Sequence, residues 1–403
     1  MSQTYFSCPI CGSDSIIKNG YNIRVVKHNT DAFWKKIYTI KISKYICTKC
    51  NHTFFENTKF IIYNCSFSLP TVYSILVSLS ELNSTFTSVA NHFHISKMEC
   101  IKLFDRFIAD PITSTLPEII SFDEKFINRN ICENGYSFVM VDWLNVKIVD
   151  ILSSRHLNKL GDYFSKISLK SRSNVKYITM DMYDTYLRIA KTYFNNAIIA
   201  VDSFHVLQNL IRAFDKVRIR IMKKHDNGAD NLDDNTREYY LLKKGADLLY
   251  KLNGELGTTR KHYRKLNMWI SDRTLVRYIT DISPELKQAY WLMQEYLEFN
   301  RCSTYDEAKS EIDELIDQFY NSKINSYMEF AKTISTWKEY ILNSFIIIFD
   351  KTRNKYRRLS DGPIEGLNAQ IEKININSNG FKNFKLFRKI VIYKINKNIL
   401  FRL

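Results

Sequence analysis

The chain has 403 residues, 45% hydrophobic and 14% aromatic, which is long and apolar enough for two or three domains with real cores and excludes a disordered or fibrous protein. Lys and Arg number 58 against 42 Asp and Glu, and the formal charge of +16 is spread along the sequence, so a polyanion fits as partner, nucleic acid better than a membrane surface. No apolar run reaches membrane-spanning length and no signal-peptide pattern opens the sequence, so a cytoplasmic protein without a membrane partner is expected.

The N-terminal stretch, 1–65, carries Cys8-Pro-Ile-Cys11 and Cys47-Thr-Lys-Cys50, two C-x-x-C knuckles with 35 residues between them. Two such knuckles complete a tetrahedral four-thiolate site with no open position, so one structural Zn²⁺ held by Cys8, Cys11, Cys47 and Cys50 is expected, in a zinc ribbon with a long basic hairpin. Cys65, Cys100, Cys132 and Cys302 stand alone and read as ordinary thiols. Residues 66–115 read as three short helices: one from about Pro70, one over Ser88 to Phe93, and one after Ser96, where Ser96 and Glu99 form a capping box. Helix, tight turn and capped helix is the order of a helix-turn-helix, and Lys97, Lys102 and Arg106 on the last helix are available to phosphates or bases.

After Pro117 the pattern turns strand-like. "EIISFDEKF", "YSFVMVDW" and "VKIVDIL" read as three strands, and "VKYITMD" and "AIIAVD" as two short buried ones, each ending in an aspartate and followed by helix. The order β-β-β-α-β-α-β-α over 116–205 is that of a ribonuclease H-like core, in which the first strand lies beside the fourth. Asp123 and Asp181 are then neighbours, with Asp202 one strand further away and Asp184 a minor competitor. Residues 206–350 read as an all-helical insertion, whose Trp269, Trp291 and Trp337 are expected to be core residues. Residues 351–403 complete the core. Lys351, Arg353, Lys355, Arg357 and Arg358 form a basic run suited to gripping phosphates. Behind it, "SDGPIEGLNAQIEKI" starts a buried helix: Asp361 or Gly362 suits the N-cap, Pro363 the first position, and Ile364, Leu367, Ile371 and Ile374 recur with helical spacing. Glu365 falls in the first turn, where it either favours the helix dipole or reaches a ligand past two glycines.

Taken in order, "CPICGS", "CTKC", the helical triplet, "SFDEKF", "MDMYDTY", "VDSFHVLQN" and "DGPIEGLNAQI" resemble an insertion-sequence transposase of the ISL-three type, in the DDE superfamily, from about residue 5 to about residue 390. The resemblance implies Asp123, Asp181 and Glu365 as the catalytic triad, with Asp202 and His205 as an accessory D-x-x-H motif. Phosphodiester hydrolysis and transesterification suit two divalent ions on oxygen ligands, Mg²⁺ or Mn²⁺, two per active site, held by the same three carboxylates.

The fold class expected is therefore multidomain α+β: zinc ribbon, helix-turn-helix, and a ribonuclease H-like α/β core interrupted by a large all-helical insertion. The function expected is binding of the element's terminal inverted repeats in double-stranded DNA, then strand cleavage and transfer to target DNA, by a homodimer or higher oligomer. Two other classes fit parts of the pattern: a non-catalytic DNA-binding regulator, and a nuclease of the same fold without strand transfer.

Overall fold

The computed structural model describes residues 7–29, 35–56, 60–62, 64–111, 113, 115–360 and 362–397. Strands β1 (Ile16–Asn29), β2 (Lys35–Cys47) and β3 (Thr53–Phe55) form an antiparallel sheet in chain order. The β1–β2 ladder runs from Ile16 opposite Cys47 to Asn29 opposite Lys35, so the wide gap between the knuckles is spent on one long hairpin. Its far end docks on the next segment: the Asn29 N–H donates to Thr71 Oγ1, and Asn29 Nδ2 donates to the Phe93 carbonyl.

Three helices follow, α1 (Leu69–Ser80), α2 (Phe86–His92) and α3 (Lys97–Phe107). The Ser96–Glu99 capping box opens α3 as expected. A second box, Thr85 with Ser88, opens α2 two residues before the Ser88 start read from sequence, because Ser88 serves the box from inside the helix. His94, with φ of 53°, makes the turn between α2 and α3.

The central sheet contains β4 (Ile119–Phe126), β5 (Tyr136–Asp142), β6 (Lys147–Leu152), β7 (Tyr177–Met180) and β8 (Ile198–Val201), in the spatial order β6-β5-β4-β7-β8. The first three pair antiparallel; β4, β7 and β8 pair parallel. Alternation along the strands feeds two cores. Phe122, Phe138, Met140, Ile178 and Met180 face α4 (Leu157–Ser165), α6 (Asp184–Tyr193) and α7 (Ser203–Lys224), with the short α5 (Leu169–Ser173) at the edge. Val139, Val141, Ile148 and Ile151 face the opposite way, into a core shared with the three N-terminal helices and the C-terminal ones.

The segment after α7 departs from the all-helical expectation. It holds α8 (Arg237–Lys244), α9 (Ala246–Leu249), α10 (Asp272–Thr280), α11 (Pro284–Cys302), α12 (Tyr305–Asn321) and α13 (Asn325–Asn343), but also a two-stranded hairpin, β9 (Lys261–Tyr263) with β10 (Met268–Ile270). Left-handed Asn267 lets the chain reverse there, and the three-residue strands are too short to register as a period-two pattern. Of its tryptophans only Trp337 is buried as expected; Trp269 and Trp291 are 67% and 47% exposed. The basic run is likewise a hairpin, β11 (Ile347–Asp350) with β12 (Lys355–Arg358), followed by α14 (Gly362–Asn377) and α15 (Phe384–Asn396). Asp361, one of the two expected N-caps, lies outside the described residues.

Helix α15 bolts the N-terminal helices to the sheet. Tyr393 donates to the Leu76 carbonyl, and buried Lys394 donates to the carbonyls of Glu81 and Ser84. Burial pushes the Lys394 ammonium down to about 8. Toward β6, Arg388 makes a two-pronged ion pair with buried Asp150, which also accepts from Tyr163 Oη. Removing one partner of such a pair strands a buried charge, at a cost of about 3 kcal/mol or more. Arg388→Met is therefore expected to lower the urea midpoint by that equivalent, and Arg388→Lys, which keeps the charge but loses the fork, by less.

Candidate active site

Parallel pairing of β4 with β7 sets Phe122 opposite Met180, so Asp123, still within β4, and Asp181, just past the end of β7, follow side by side. Two positions before the aspartates, buried Ser121 and Thr179 join their hydroxyls at 2.6 Å, which fixes the two strands directly under the carboxylates. Asp123 Oδ1 accepts from the Glu124 N–H at 2.6 Å and Oδ2 from Asn368 Nδ2 at 2.5 Å. Burial, then the charge of Asp181, pushes the Asp123 carboxyl up to about 7.

His205 comes from the first turn of α7, and its Nε2 lies 2.6 Å from Asp181 Oδ1. That oxygen is buried, so the contact is a close ion pair shielded from solvent. Burial opposes a charged ring, but Asp181, with Asp202 and Asp123 behind it, outweighs burial and raises the His205 pKa. Asp202 is buried at the N-cap of α7, where its side chain makes no capping bond. The histidine of the D-x-x-H motif thus pairs with Asp181 and not with the aspartate of its own motif.

Helix α14 lies along β4 with a polar stripe facing it. Asn368 meets Asp123, Glu372 meets Lys125 at 2.6 Å, and Asn375 donates to the Ile127 carbonyl. Glu365 stands one turn before Asn368 on this face and is exposed. On the other side, Ile364, Leu367, Ile371 and Ile374 are buried, as their spacing predicts. Gly362 and Gly366 flank this turn without positive φ, and a Cβ at Gly366 would meet open space. The chain's own packing therefore does not require glycine there.

What aims α14 is the return of the chain from the insertion. Fully buried Trp143 donates its indole N–H to the Ser360 carbonyl at 2.7 Å, and the Arg357 guanidinium stacks on its ring. Buried Asp350 accepts from Arg353 and Arg357 and from Thr352, closing the β11–β12 turn. Arg358 turns inward over Phe345 and donates to the Asn300 and Ser344 carbonyls. Within the basic run, Lys351 and Lys355 are exposed, whereas three arginines have structural partners. Lys97, Lys102 and Arg106 are all exposed on α3, with Arg106 donating to the Asn64 carbonyl.

A cleft of about 340 Å³ opens beside Asp181 and His205, walled by Glu124, Arg155, Tyr183 and Arg212 among others. Arg155 pairs with Glu124 and packs over the rings of Tyr136 and Tyr183. Sequence reading missed Arg155, Asn368 and Arg212; only Asn368 carried a signal, three residues after Glu365 in one motif. Oxygen donors on two adjacent, half-buried carboxylates, with the charge of Asp181 helping to raise the Asp123 carboxyl, suit a hard divalent cation. The carboxylates are not fully assembled: among the described residues, the four cysteines are the only set of three or more Cys, His, Asp or Glu whose ligand atoms lie within 4.8 Å of one another.

In that quartet Cys8 Sγ and Cys50 Sγ are 3.5 Å apart, and Cys11 Sγ and Cys47 Sγ 3.6 Å. Each knuckle closes the same way, with left-handed Gly12 or Asn51 donating back to the carbonyl of Cys8 or Cys47. Backbone N–H groups of the same turns hold Cys8 and Cys47 below the ordinary thiol range, Cys47 at about 7, while burial and the neighbouring cysteines push Cys50 up to about 12, so the quartet without a cation shares its protons unevenly. The arrangement is compatible with a zinc ribbon. Metal analysis of the purified chain is expected to find about one zinc per molecule, and Cys11→Ser to lose it.

No curated protein matches the chain. A family model described as a transposase, the DDE transposase of the ISL-three group, matches residues 120–391, about two thirds of the chain. The match begins at β4 and ends within α15, so it spans both aspartate strands, the insertion and the helix of Glu365. Among the described residues no helix is long and apolar enough to cross a membrane. With a mixed sheet presenting paired aspartates, a return helix laid along it, and this match over most of its length, the chain belongs to the ISL-three-type DDE transposase family.

Proposed function

We propose that this transposase binds the terminal inverted repeats of its element and carries out strand cleavage and strand transfer with Asp123, Asp181 and Glu365. The observation that carries the reading is the pair of aspartates side by side on adjacent parallel strands, Asp123 within β4 and Asp181 at the end of β7, with α14 tied to the first of them through Asn368. The sheet order, three antiparallel strands then two parallel ones, supports a ribonuclease H-like core over 116–205 and 351–403, with 206–350 inserted. The cysteine quartet and the doubly capped helices support a zinc ribbon (1–65) and a helix-turn-helix (66–115) that read DNA.

Asp123, Asp181 and Glu365 would hold two Mg²⁺ or Mn²⁺ ions, which when bound activate the attacking oxygen and stabilise the leaving one. The protein's own part is positioning. His205 holds Asp181 from one side, Asn368 holds Asp123 from the other, and closure of the Glu365 turn toward both completes the set. Arg155, braced by two tyrosines, offers a guanidinium to a phosphate in the cleft. The bare backbone at Gly362 and Gly366 lets a DNA strand approach the Glu365 turn closely.

The decisive variants remove charge and keep shape. Glu365→Gln, Asp123→Asn and Asp181→Asn are expected to fold and bind terminal-repeat DNA as wild type does, yet lose Mg²⁺-dependent cleavage by at least about a hundredfold. A well-folded Glu365→Gln protein that still cleaves would refute the assignment. Gly366→Ala separates packing from function: it should stabilise the fold by about 0.5–1 kcal/mol, as alanine does in a helix, while slowing cleavage. Thermal melts and a strand-cleavage assay read the two effects.

A further inference from the structure

Helix α7 begins in the cleft and continues well beyond it. His205, Gln208, Asn209 and Arg212 line the cleft from its first turns, and the helix then runs on to Lys224. Beyond Asn209 its exposed charged residues are Arg212, Lys216, Arg220, Lys223 and Lys224, and none is acidic. Asp215 is the acid of this stretch, and it is tied to Arg218 and Tyr250. Positions 212, 216, 220 and 223 fall on one helical stripe, about 16 Å long at 1.5 Å per residue. We propose that this stripe is a track for the phosphate backbone of duplex DNA leaving the catalytic cleft, with Arg212 shared between cleft and track. The inference rests on the active-site reading above, because it is the cleft that gives the track its origin.

Two members of the stripe have acidic partners. Lys216 pairs with Glu329 on α13 at 2.9 Å, and Arg220 pairs with Glu285 on α11. A purely structural role would make these pairs stitches between α7 and the insertion. Lys216, Glu329 and Arg220 are exposed and Glu285 is half-buried, so as stitches the two pairs contribute little. On a phosphate track the two glutamates instead compete with DNA for the cations. The two roles predict opposite consequences of removing them.

The test uses the full-length protein and a labelled duplex of about 40 base pairs, with affinity measured across a salt series. Each lost phosphate contact flattens the slope of log affinity against log salt by about 0.9, so Lys216→Gln/Arg220→Gln/Lys223→Gln should flatten it by about 2 to 3. Glu285→Gln/Glu329→Gln should bind several-fold tighter than wild type. Lys309→Gln, an exposed cation on α12, serves as the control and should leave the slope unchanged. Thermal melts check that each variant is folded. An unchanged slope in the folded triple variant, or no gain in affinity in the double variant, overturns the track. Asp181→Asn on the same duplex keeps the two readings apart: if it still cleaves, the active-site assignment fails, while the salt slopes continue to report on α7 alone.

Discussion

The parallel ladder between β4 and β7 is the constraint on which the rest depends. Two inner strands whose paired residues lie 58 apart in sequence, Phe122 opposite Met180 at their last pair, put two carboxylates next to each other just beyond that pair. Like charges at such a site raise each other's affinity for a positive partner, whether proton, histidine or metal. Three features answer that charge: the Asp123 carboxyl is raised to about 7, Asp181 leans on His205, and the Asn368 amide donates to Asp123. The buried Ser121–Thr179 bond, in which one hydroxyl donates to the other, keeps the geometry from spreading.

A long insertion between β8 and α14 poses a second problem, which is how to bring the chain back to the sheet in register. The answer is a short hairpin with a buried anion. Asp350 gathers two guanidiniums and a hydroxyl, one of those guanidiniums stacks on Trp143, and Trp143 in turn holds the Ser360 carbonyl. Helix α14 starts two residues later. A basic run that composition alone assigns to DNA is thus partly a fixture of the fold. The same holds for Arg388, Lys389 and Lys394, whose charges are spent inside the molecule on carboxylates and carbonyls. A net charge of +16 therefore overstates the basic surface, and the exposed cations of α3 and α7 matter more than the total.

The sharing of cores has a mechanical consequence. The N-terminal helices, one face of the sheet, α14 and α15 contribute to a single buried cluster, so the helices at 69–107 do not swing freely from the core. Any displacement of α3 is transmitted through Phe104 and Tyr393, whose rings meet edge to face, to α15, and α15 packs on β6. The segment that reads as a DNA-binding module and the helix that carries Glu365 thus belong to one packed body.

Local rules written in the sequence determined much of this protein. The knuckles, the Ser96–Glu99 box, the strand that carries Asp123 and the two that run into Asp181 and Asp202, and the apolar stripe of α14 follow from spacing and capping chemistry that act over a few residues. Adjacency of the first and fourth strands was expected from the likeness of the element order to a ribonuclease H-like core, and the β4–β7 ladder has it. Tertiary structure alone decided the partners. That His205 pairs with Asp181 and not Asp202, that Asn368 reaches Asp123, that Arg353 and Arg357 hold Asp350, and that Trp269 stands in solvent while Trp337 is buried all depend on residues far apart in the chain. A side chain's chemistry is fixed by its type, but its charge and contacts are fixed by what the fold packs against it, and no local pattern records that.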